Sequence, residues 1–156
     1  MSISTKEELQ FLLHRGLEFE KKFESISAWK GFVAVNSINR KTVLTLARDS
    51  HEHMLELEKL LEKLDLEAPT NEIPDITFDF DGMLNAEILQ KIIEQDEIVA
   101  DFYTELVEKT DPKLVVALSG GKNGDFFYQT LKCIVKDEKR HVRMVKALTG
   151  NITRIL

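Results

Sequence analysis

The chain has 156 residues, of which 43% are hydrophobic and 31% charged, and this balance is typical of one soluble globular domain with a sizeable core. The net charge of −6, with basic residues scattered among acidic ones, excludes a basic nucleic-acid groove and a polybasic membrane patch. No apolar run approaches the roughly 20 residues of a membrane span, and the polar N-terminal segment lacks the apolar stretch of a secretory signal. We therefore expect a cytoplasmic protein with one domain over residues 1–156.

Two long proline-free segments predict the helices of the first half. The first covers residues 5–35, where Thr5 and Glu8 have the spacing of a capping box, and the second covers residues 38–64. Residues 65–82 contain two prolines, one glycine and no helical period. They predict a long connection rather than a helix.

The second half follows the same plan. A third helix is predicted over residues 84–109 and is stopped by Pro112, and residues 113–118 add a helical turn. The fourth helix covers residues 125–148 and is expected to end at Gly150. All four long segments carry apolar residues at helical spacing, and such stripes are buried best against one another. The sequence thus predicts an all-α, antiparallel four-helix bundle with a long crossover between the second and third helices.

The chain contains one cysteine, Cys133. A single cysteine excludes an internal disulfide and any multi-cysteine metal site. Because it lies in an apolar part of the fourth predicted helix, we expect a buried, structural thiol.

The two halves are related by an internal repeat. His53 aligns with His141, and each histidine follows an aspartate by one helical turn. When the first and third helices are aligned through their leucines and isoleucines, Glu20 falls on Asp96. Each half therefore offers an inward-facing acid from its first helix and an inward-facing histidine from its second.

The second half adds a further carboxylate to this set. Glu138 precedes His141 by three residues, so the carboxylate and the imidazole lie on one face of the helix. Glu20, Asp96 and Glu138 occupy stripes made mostly of Leu, Ile and Val, and no Lys or Arg shares those positions. Because buried carboxylates without a partner are costly, a divalent cation is expected there. Mixed carboxylate and imidazole ligands suit iron or manganese, with zinc as a further candidate.

This arrangement resembles the ferritin-like superfamily and, within it, the rubrerythrin-type domains. Those proteins place one Glu on each of the first and third helices and Glu-x-x-His on each of the second and fourth. The segment from Glu138 to Val142 is similar to the fourth-helix motif, and Asp96, seven residues before Tyr103, is similar to the third-helix pattern. The resemblance implies peroxide or dioxygen chemistry at iron, with electrons from a separate donor protein.

The chain departs from the family pattern at two positions. Ser50 stands where the second-helix motif has Glu, and Asp96 stands where Glu is usual. The resemblance therefore implies a partly degraded di-iron site, or a single metal held by Asp96, Glu138 and His141 with a contribution from Glu20 or His53. Full rubrerythrins also carry a four-cysteine iron domain, which a chain with one cysteine cannot form.

Several residues have alternative interpretations. Glu18 or Glu24 could replace Glu20, and Glu94 or Glu97 could replace Asp96, if the helices are rotated. His53 could be a core histidine that is hydrogen-bonded to a neighbour.

The aspartates before the two histidines, Asp49 and Asp137, could orient the imidazoles. We interpret them instead as surface charges. Besides the oxidoreductase, two functions stay open: a non-enzymatic metal-binding protein, and a structural module that has lost the site. We also expect a homodimer.

Overall fold

The computed structural model describes residues 2–22, 37–68, 82–122 and 124–155. The chain is all-helical over these residues, which confirms the all-α prediction for them. The predictions for the last part of the first helix and for most of the long connection fall outside these ranges. No helix in the described part of the chain has both the length and the apolar character needed to cross a membrane.

Five helices lie within the described residues, and a short 3-10 turn, Ser37–Asn39, precedes the second. Four of them are long, and the fourth in chain order is a short helix between two long ones. They are α1 (Lys6–Lys22), α2 (Arg40–Lys63), α3 (Asn85–Lys109), α4 (Pro112–Leu118) and α5 (Asp125–Ile155).

Two of the helices begin where local sequence signals predict. The Thr5 hydroxyl accepts a hydrogen bond from the Glu8 backbone N–H at 3.2 Å and donates one to Glu8 Oε1 at 2.8 Å, so a free N–H group of α1 is satisfied. The Asp111 side chain accepts from the Lys113 N–H at 3.0 Å, and Pro112 takes the first position of α4. Pro112 therefore separates α3 from α4, as predicted.

Two expectations for the last helix are wrong. Gly150 does not end it, because α5 continues to Ile155. A glycine inside a helix costs about 1 kcal/mol relative to alanine but leaves the backbone hydrogen bonds intact. Cys133 is exposed rather than buried. It lies about 100° around the helix from Ile134, which is buried, so the apolar stretch does not place both side chains on one face.

Neighbouring long helices run in opposite directions. His14 Nε2 near the start of α1 lies 3.3 Å from the carbonyl of Leu66 just beyond α2, whereas Glu20 near the end of α1 meets Ser50 in the middle of α2. The extended residue Ile3 before α1 exchanges backbone hydrogen bonds with the end of α3: its N–H donates to the carbonyl of Lys109 at 2.7 Å.

The core is divided into two apolar clusters. One contains Leu13, Leu60 and Leu131, and the other contains Ile92 and Val145. On α2, α3 and α5 the buried residues between these clusters are polar, and on α1 the buried Glu20 joins them through its contact with Ser50. A polar layer therefore crosses the helices with apolar side chains on both sides, and this layer holds the candidate site.

Candidate metal centre

The five residues that the sequence selects as metal ligands all lie in the buried polar layer. Glu20, His53, Asp96, Glu138 and His141 are between 2% and 5% exposed. The acids that were alternatives are more accessible where the structure describes them, since Glu18 on α1 is only partly buried and Glu94 and Glu97 on α3 are exposed.

Their side chains form two groups that share one carboxylate. Glu20, His53 and Glu138 form the first group, and Asp96, Glu138 and His141 form the second. Within each group the potential ligand atoms lie within 4.8 Å of one another. Since Glu138 belongs to both, its two oxygens face different halves of the repeat.

Distances around Glu138 show this division. Glu138 Oε1 lies 3.2 Å from His53 Nδ1, and Glu138 Oε2 lies 3.6 Å from His141 Nδ1. Glu20 Oε1 lies 3.7 Å from His53 Nδ1. Both imidazoles therefore present Nδ1 to the interior carboxylates, as a pair of metal-binding histidines would.

The other ring nitrogen of each histidine contacts an aspartate of the opposite half. His53 Nε2 lies 2.9 Å from Asp137 Oδ2, and His141 Nε2 lies 2.8 Å from Asp49 Oδ2. The interpretation of both aspartates as surface charges is therefore wrong. Each precedes its own histidine by one turn, but because α2 and α5 pack antiparallel it reaches the histidine of the facing helix. A carboxylate at Nε2 fixes the ring and leaves Nδ1 for a ligand.

A single arginine lies between the two outer aspartates. Arg140 Nη2 is 2.8 Å from Asp49 Oδ2 and 3.5 Å from Asp137 Oδ1. The Arg140 side chain is 49% exposed, so it closes the outer side of the layer next to solvent. Its positive charge partly balances the two aspartates without entering the inner group of carboxylates.

The two inner acids Glu20 and Asp96 differ in their hydrogen bonds. Ser50 donates a hydrogen bond to Glu20 Oε2, and the Tyr103 hydroxyl donates to Glu20 Oε1 at 3.0 Å. Tyr103 reaches this position because Gly16 has no side chain: a Cβ there would lie 3.1 Å from the Tyr103 hydroxyl oxygen. The spacing of residues along the sequence does not reveal this contact between α1 and α3.

Two buried polar atoms of the site have no hydrogen-bond partner among the described residues. They are Asp96 Oδ2 and His53 Nδ1. His53 Nδ1 is close to Glu138, but the two groups are not aligned for a hydrogen bond. Buried polar atoms are nearly always paired, so these two indicate a missing partner. The oxygen Asp96 Oδ2 is an acceptor, and both atoms lie close to carboxylates of the site. A cation therefore fits the site chemically.

In the absence of a metal, protons provide the positive charge. Burial raises the pKa of Asp96 well above its usual value, and the charges of Glu138 and Glu20 raise it further. Burial likewise raises the pKa of Glu20. For His53, burial lowers the pKa, but the neighbouring carboxylates Glu138 and Glu20 outweigh burial and raise it to about 11. A divalent cation would displace these protons.

A small cavity adjoins the inner carboxylates. It has about 20 Å³ for the centre of a water-sized sphere, which is room for about one water molecule. All four long helices contribute to its wall. The lining residues are Phe19, Glu20, Leu46, Ser50, Gln95, Asp96, Val99, Glu138 and His141.

The described residues thus contain buried carboxylate and histidine groups that could hold a metal ion. Comparisons of the chain with protein-family models, with curated proteins and with solved structures found no match.

Proposed function

We propose that this chain is a metal-binding protein of the ferritin-like, rubrerythrin-related kind, and that it handles peroxide or dioxygen at iron. The observation that carries the proposal is the pair of buried ligand groups joined by Glu138, with Asp96 Oδ2 and His53 Nδ1 unpartnered within the described residues. The ferritin-like topology is part of the proposal. It is supported by the four long helices and by contacts that show α1 antiparallel to α2 and α2 antiparallel to α5.

The candidate ligands form two metal-binding positions that share Glu138. Asp96, Glu138 and His141 would hold one ion, and Glu20 and His53 would hold a second, with Glu138 between the two. Carboxylate and imidazole donors suit iron, and they also accept manganese or zinc. The outer aspartates would keep both imidazoles in the orientation that presents Nδ1.

The surroundings of the site determine what can react there. Bound iron would supply electron transfer to or from a small oxidant, which is chemistry that the carboxylates and imidazoles of the site do not offer. The apolar clusters on both sides exclude bulk water, and the small cavity restricts access to compact molecules. Burial raises the pKa values of Glu20 and Asp96, so a metal would displace protons from both acids beside the cavity when it binds. Electrons would come from a separate donor protein.

Metal analysis tests this proposal directly. Protein loaded anaerobically with ferrous iron and then desalted is expected to retain iron, and to consume peroxide when a chemical reductant is supplied. Glu138→Ala should lose both properties because it removes the shared carboxylate. Glu94→Ala, on the exposed face of α3, is the matched control and should behave as the parent. Parent protein that retains no metal would refute the proposal.

A second candidate is a metal-binding protein without catalysis. Ser50 favours it, because a hydroxyl stands where the repeat has Glu138 in the other half, and the centre therefore lacks one carboxylate. In that case the protein retains metal but consumes peroxide at the background rate. A structural module would show neither property, and its melting temperature would not rise with metal, since a ligand that binds only the native state must stabilise it.

A further inference from the structure

The cavity beside the inner carboxylates has a thin wall on one side. Most of its lining residues are as buried as the candidate ligands, for example Leu46 at 1% and Val99 at 8% exposure. The exceptions among the lining residues are Phe19 on α1 and Gln95 on α3, which are partly exposed. These two side chains therefore border both the cavity and the solvent.

The internal repeat gives these two residues equivalent positions. Phe19 immediately precedes Glu20 on α1. Gln95 immediately precedes Asp96 on α3, and the repeat matches the two acids with each other. The two helices are in contact at this level, because the ring centroids of Phe19 and Phe102 are 6.1 Å apart. Phe19 and Gln95 thus lie at the boundary between α1 and α3, beside the candidate ligands.

The Phe19 ring covers the polar layer from the outside. It packs against both apolar clusters, which lie on the two sides of the layer. The guanidinium carbon of Arg15, one turn earlier on α1, is 5.7 Å from the centre of the ring, and Phe102 packs on the ring from α3. These contacts hold the ring, but neither involves a candidate ligand. A change in the side-chain rotamer of Phe19 would therefore open the cavity without moving the ligands.

The opposite side of the layer, between α2 and α5, is closed by polar contacts. A groove of about 310 Å³ on that side has His53, Asp137 and Cys133 in its wall. An ion that entered from the groove would have to separate Asp137 Oδ2 from His53 Nε2, which lie 2.9 Å apart. Arg140, 2.8 Å from Asp49, closes the adjacent part of this side. Hydrogen bonds to ionised groups are stronger than those between neutral groups, so this side is the harder one to open.

We propose that metal ions reach the buried ligands between α1 and α3, and that Phe19 and Gln95 form the gate on this path. The inference rests on the proposed function, because it requires metal binding. A residue that only gates the path does not contact the bound ion, so it changes the barrier that entering and leaving ions share. Its substitution should change the rates of uptake and release by the same factor and leave the affinity unchanged.

Uptake and release of ferrous iron under anaerobic conditions measure both rates. Uptake is sampled at timed intervals with ferrozine, which colours the iron that is still free, and release is followed after loaded protein is mixed with excess ferrozine. We expect Phe19→Ala to accelerate both processes about tenfold and Arg15→Ala about threefold, because an aromatic pair and a cation–π contact that hold the gate are lost. The affinity, measured by equilibrium dialysis, should equal that of the parent.

Two further variants and one modification distinguish a gate from a general loosening of the fold. Gln95→Ala introduces the best helix former and should also accelerate uptake and release, so the test holds even if Phe19→Ala does not fold. Phe126→Ala removes a partly buried ring on α5 that packs against the first apolar cluster, and it should leave both rates unchanged. Alkylation of Cys133, the one thiol of the chain, with N-ethylmaleimide narrows the groove between α2 and α5 and should also leave both rates unchanged.

Four results would overturn the inference. They are unchanged rates in Gln95→Ala or in folded Phe19→Ala, a change in affinity as large as the change in either rate, equal acceleration in Phe126→Ala, and slower uptake after alkylation of Cys133. In each of these cases iron still binds, so the proposed function stands. A parent chain that binds no iron is a different result, and it refutes the proposed function and this inference together.

Discussion

The two halves of the site are built on the same helical plan but satisfy their acids differently. In the half formed by α1 and α2, Ser50 and Tyr103 both donate hydrogen bonds to Glu20. In the half formed by α3 and α5, Asp96 has an oxygen without a partner in the described structure. The acid of the first half is therefore satisfied by hydroxyl groups of the protein, whereas the acid of the second half has an oxygen without a partner in the described structure, and His53 Nδ1 of the first half also lacks one.

This difference implies an order of metal binding. A cation held by Asp96, Glu138 and His141 would bind an Asp96 oxygen that has no hydrogen-bond partner among the described residues. No hydroxyl donor would have to leave Asp96. A cation at Glu20 must share that carboxylate with two hydroxyl donors. Hydrogen bonds to a charged group contribute about 1.5–3 kcal/mol, so the competition is substantial. We expect the first metal to bind in the second half.

The largest effect on metal affinity is expected when the acid of one half is removed at a time. Asp96→Asn should abolish tight binding of the first metal. The substitution removes the negative charge and can replace the unpartnered oxygen with an amide NH₂ group, which does not bind a cation. Glu20→Gln should leave the first metal bound and weaken only the second. The loss of affinity at the first position should exceed the roughly 10–100-fold typical for residues behind a ligand.

Titration with manganese under anaerobic conditions separates the two variants. A parent chain with two binding steps should lose the tighter step in Asp96→Asn and the weaker step in Glu20→Gln. If the two substitutions affect the same step equally, the halves are equivalent and the proposed order is wrong.

A smaller effect is expected from the outer aspartates. Asp49→Asn and Asp137→Asn each remove the carboxylate behind one histidine, and such changes typically cost 10–100-fold in metal affinity. Asp49 should matter more, because its side chain is 7% exposed whereas that of Asp137 is 38% exposed and screened by solvent. Moreover, Asp49 serves His141, which belongs to the half that binds first.

The measurement is again manganese affinity, with Asp101→Asn on the exposed face of α3 as the control. The predicted order is contradicted if Asp137→Asn weakens binding more than Asp49→Asn. Equal thermal stability of the two metal-free variants would show that the difference arises at the metal and not from folding.

The sequence predicts the burial of the five candidate ligands well because each of them shares a helical stripe with apolar neighbours. Asp96 between Ile92 and Val99 is one case, and both neighbours are buried as the spacing implies. The repeat also matches Asp49 with Asp137, and this match was the available signal for their role. Sequence spacing alone does not show which helix each aspartate faces, because that depends on the packing of α2 against α5.

Contacts that require two helices to approach each other closely could not be predicted from the sequence either. In a sequence an isolated glycine such as Gly16 indicates only a less stable helix, but its missing side chain admits the Tyr103 hydroxyl. Cys133 shows the converse limit: an apolar neighbourhood along the chain did not bury it, because adjacent residues of a helix point in different directions.

Raising the pH should weaken the metal-free protein and strengthen metal binding. His53 has its pKa raised from 6.5 to about 11, so its contribution to stability is fully present below pH 6.5 and is lost as the pH rises through about 11. The raised pKa values of Glu20 and Asp96 act in the same direction, because both lose protons from the folded state as the pH rises. Metal affinity should increase about tenfold per pH unit for each proton released.

Melting temperatures with and without manganese, recorded upward from pH 6.5, test this coupling. The metal-induced rise in melting temperature should grow with pH while the metal-free value falls. A rise that is independent of pH would mean that His53, Glu20 and Asp96 carry no proton for the metal to displace.

The smallest predicted effect concerns the hydrogen bond from Tyr103 to Glu20, which can be removed without changing a candidate ligand. Tyr103→Phe removes the hydroxyl that lies 3.0 Å from Glu20 Oε1 and should lower the free energy of unfolding of metal-free protein by about 1 kcal/mol. Tyr128→Phe is a matched control, since it removes a hydroxyl that donates to the Thr110 carbonyl at 3.0 Å, away from the site. Denaturant unfolding measures both costs.

The two tyrosine variants should differ once metal is added. Tyr103→Phe leaves Glu20 with one hydroxyl donor instead of two, so the second manganese ion should bind slightly more tightly while the first is unaffected. Tyr128→Phe should change neither step. If Tyr103→Phe weakens the first step instead, then Glu20 takes part in binding the first metal. The two halves would in that case act as one site rather than as an ordered pair.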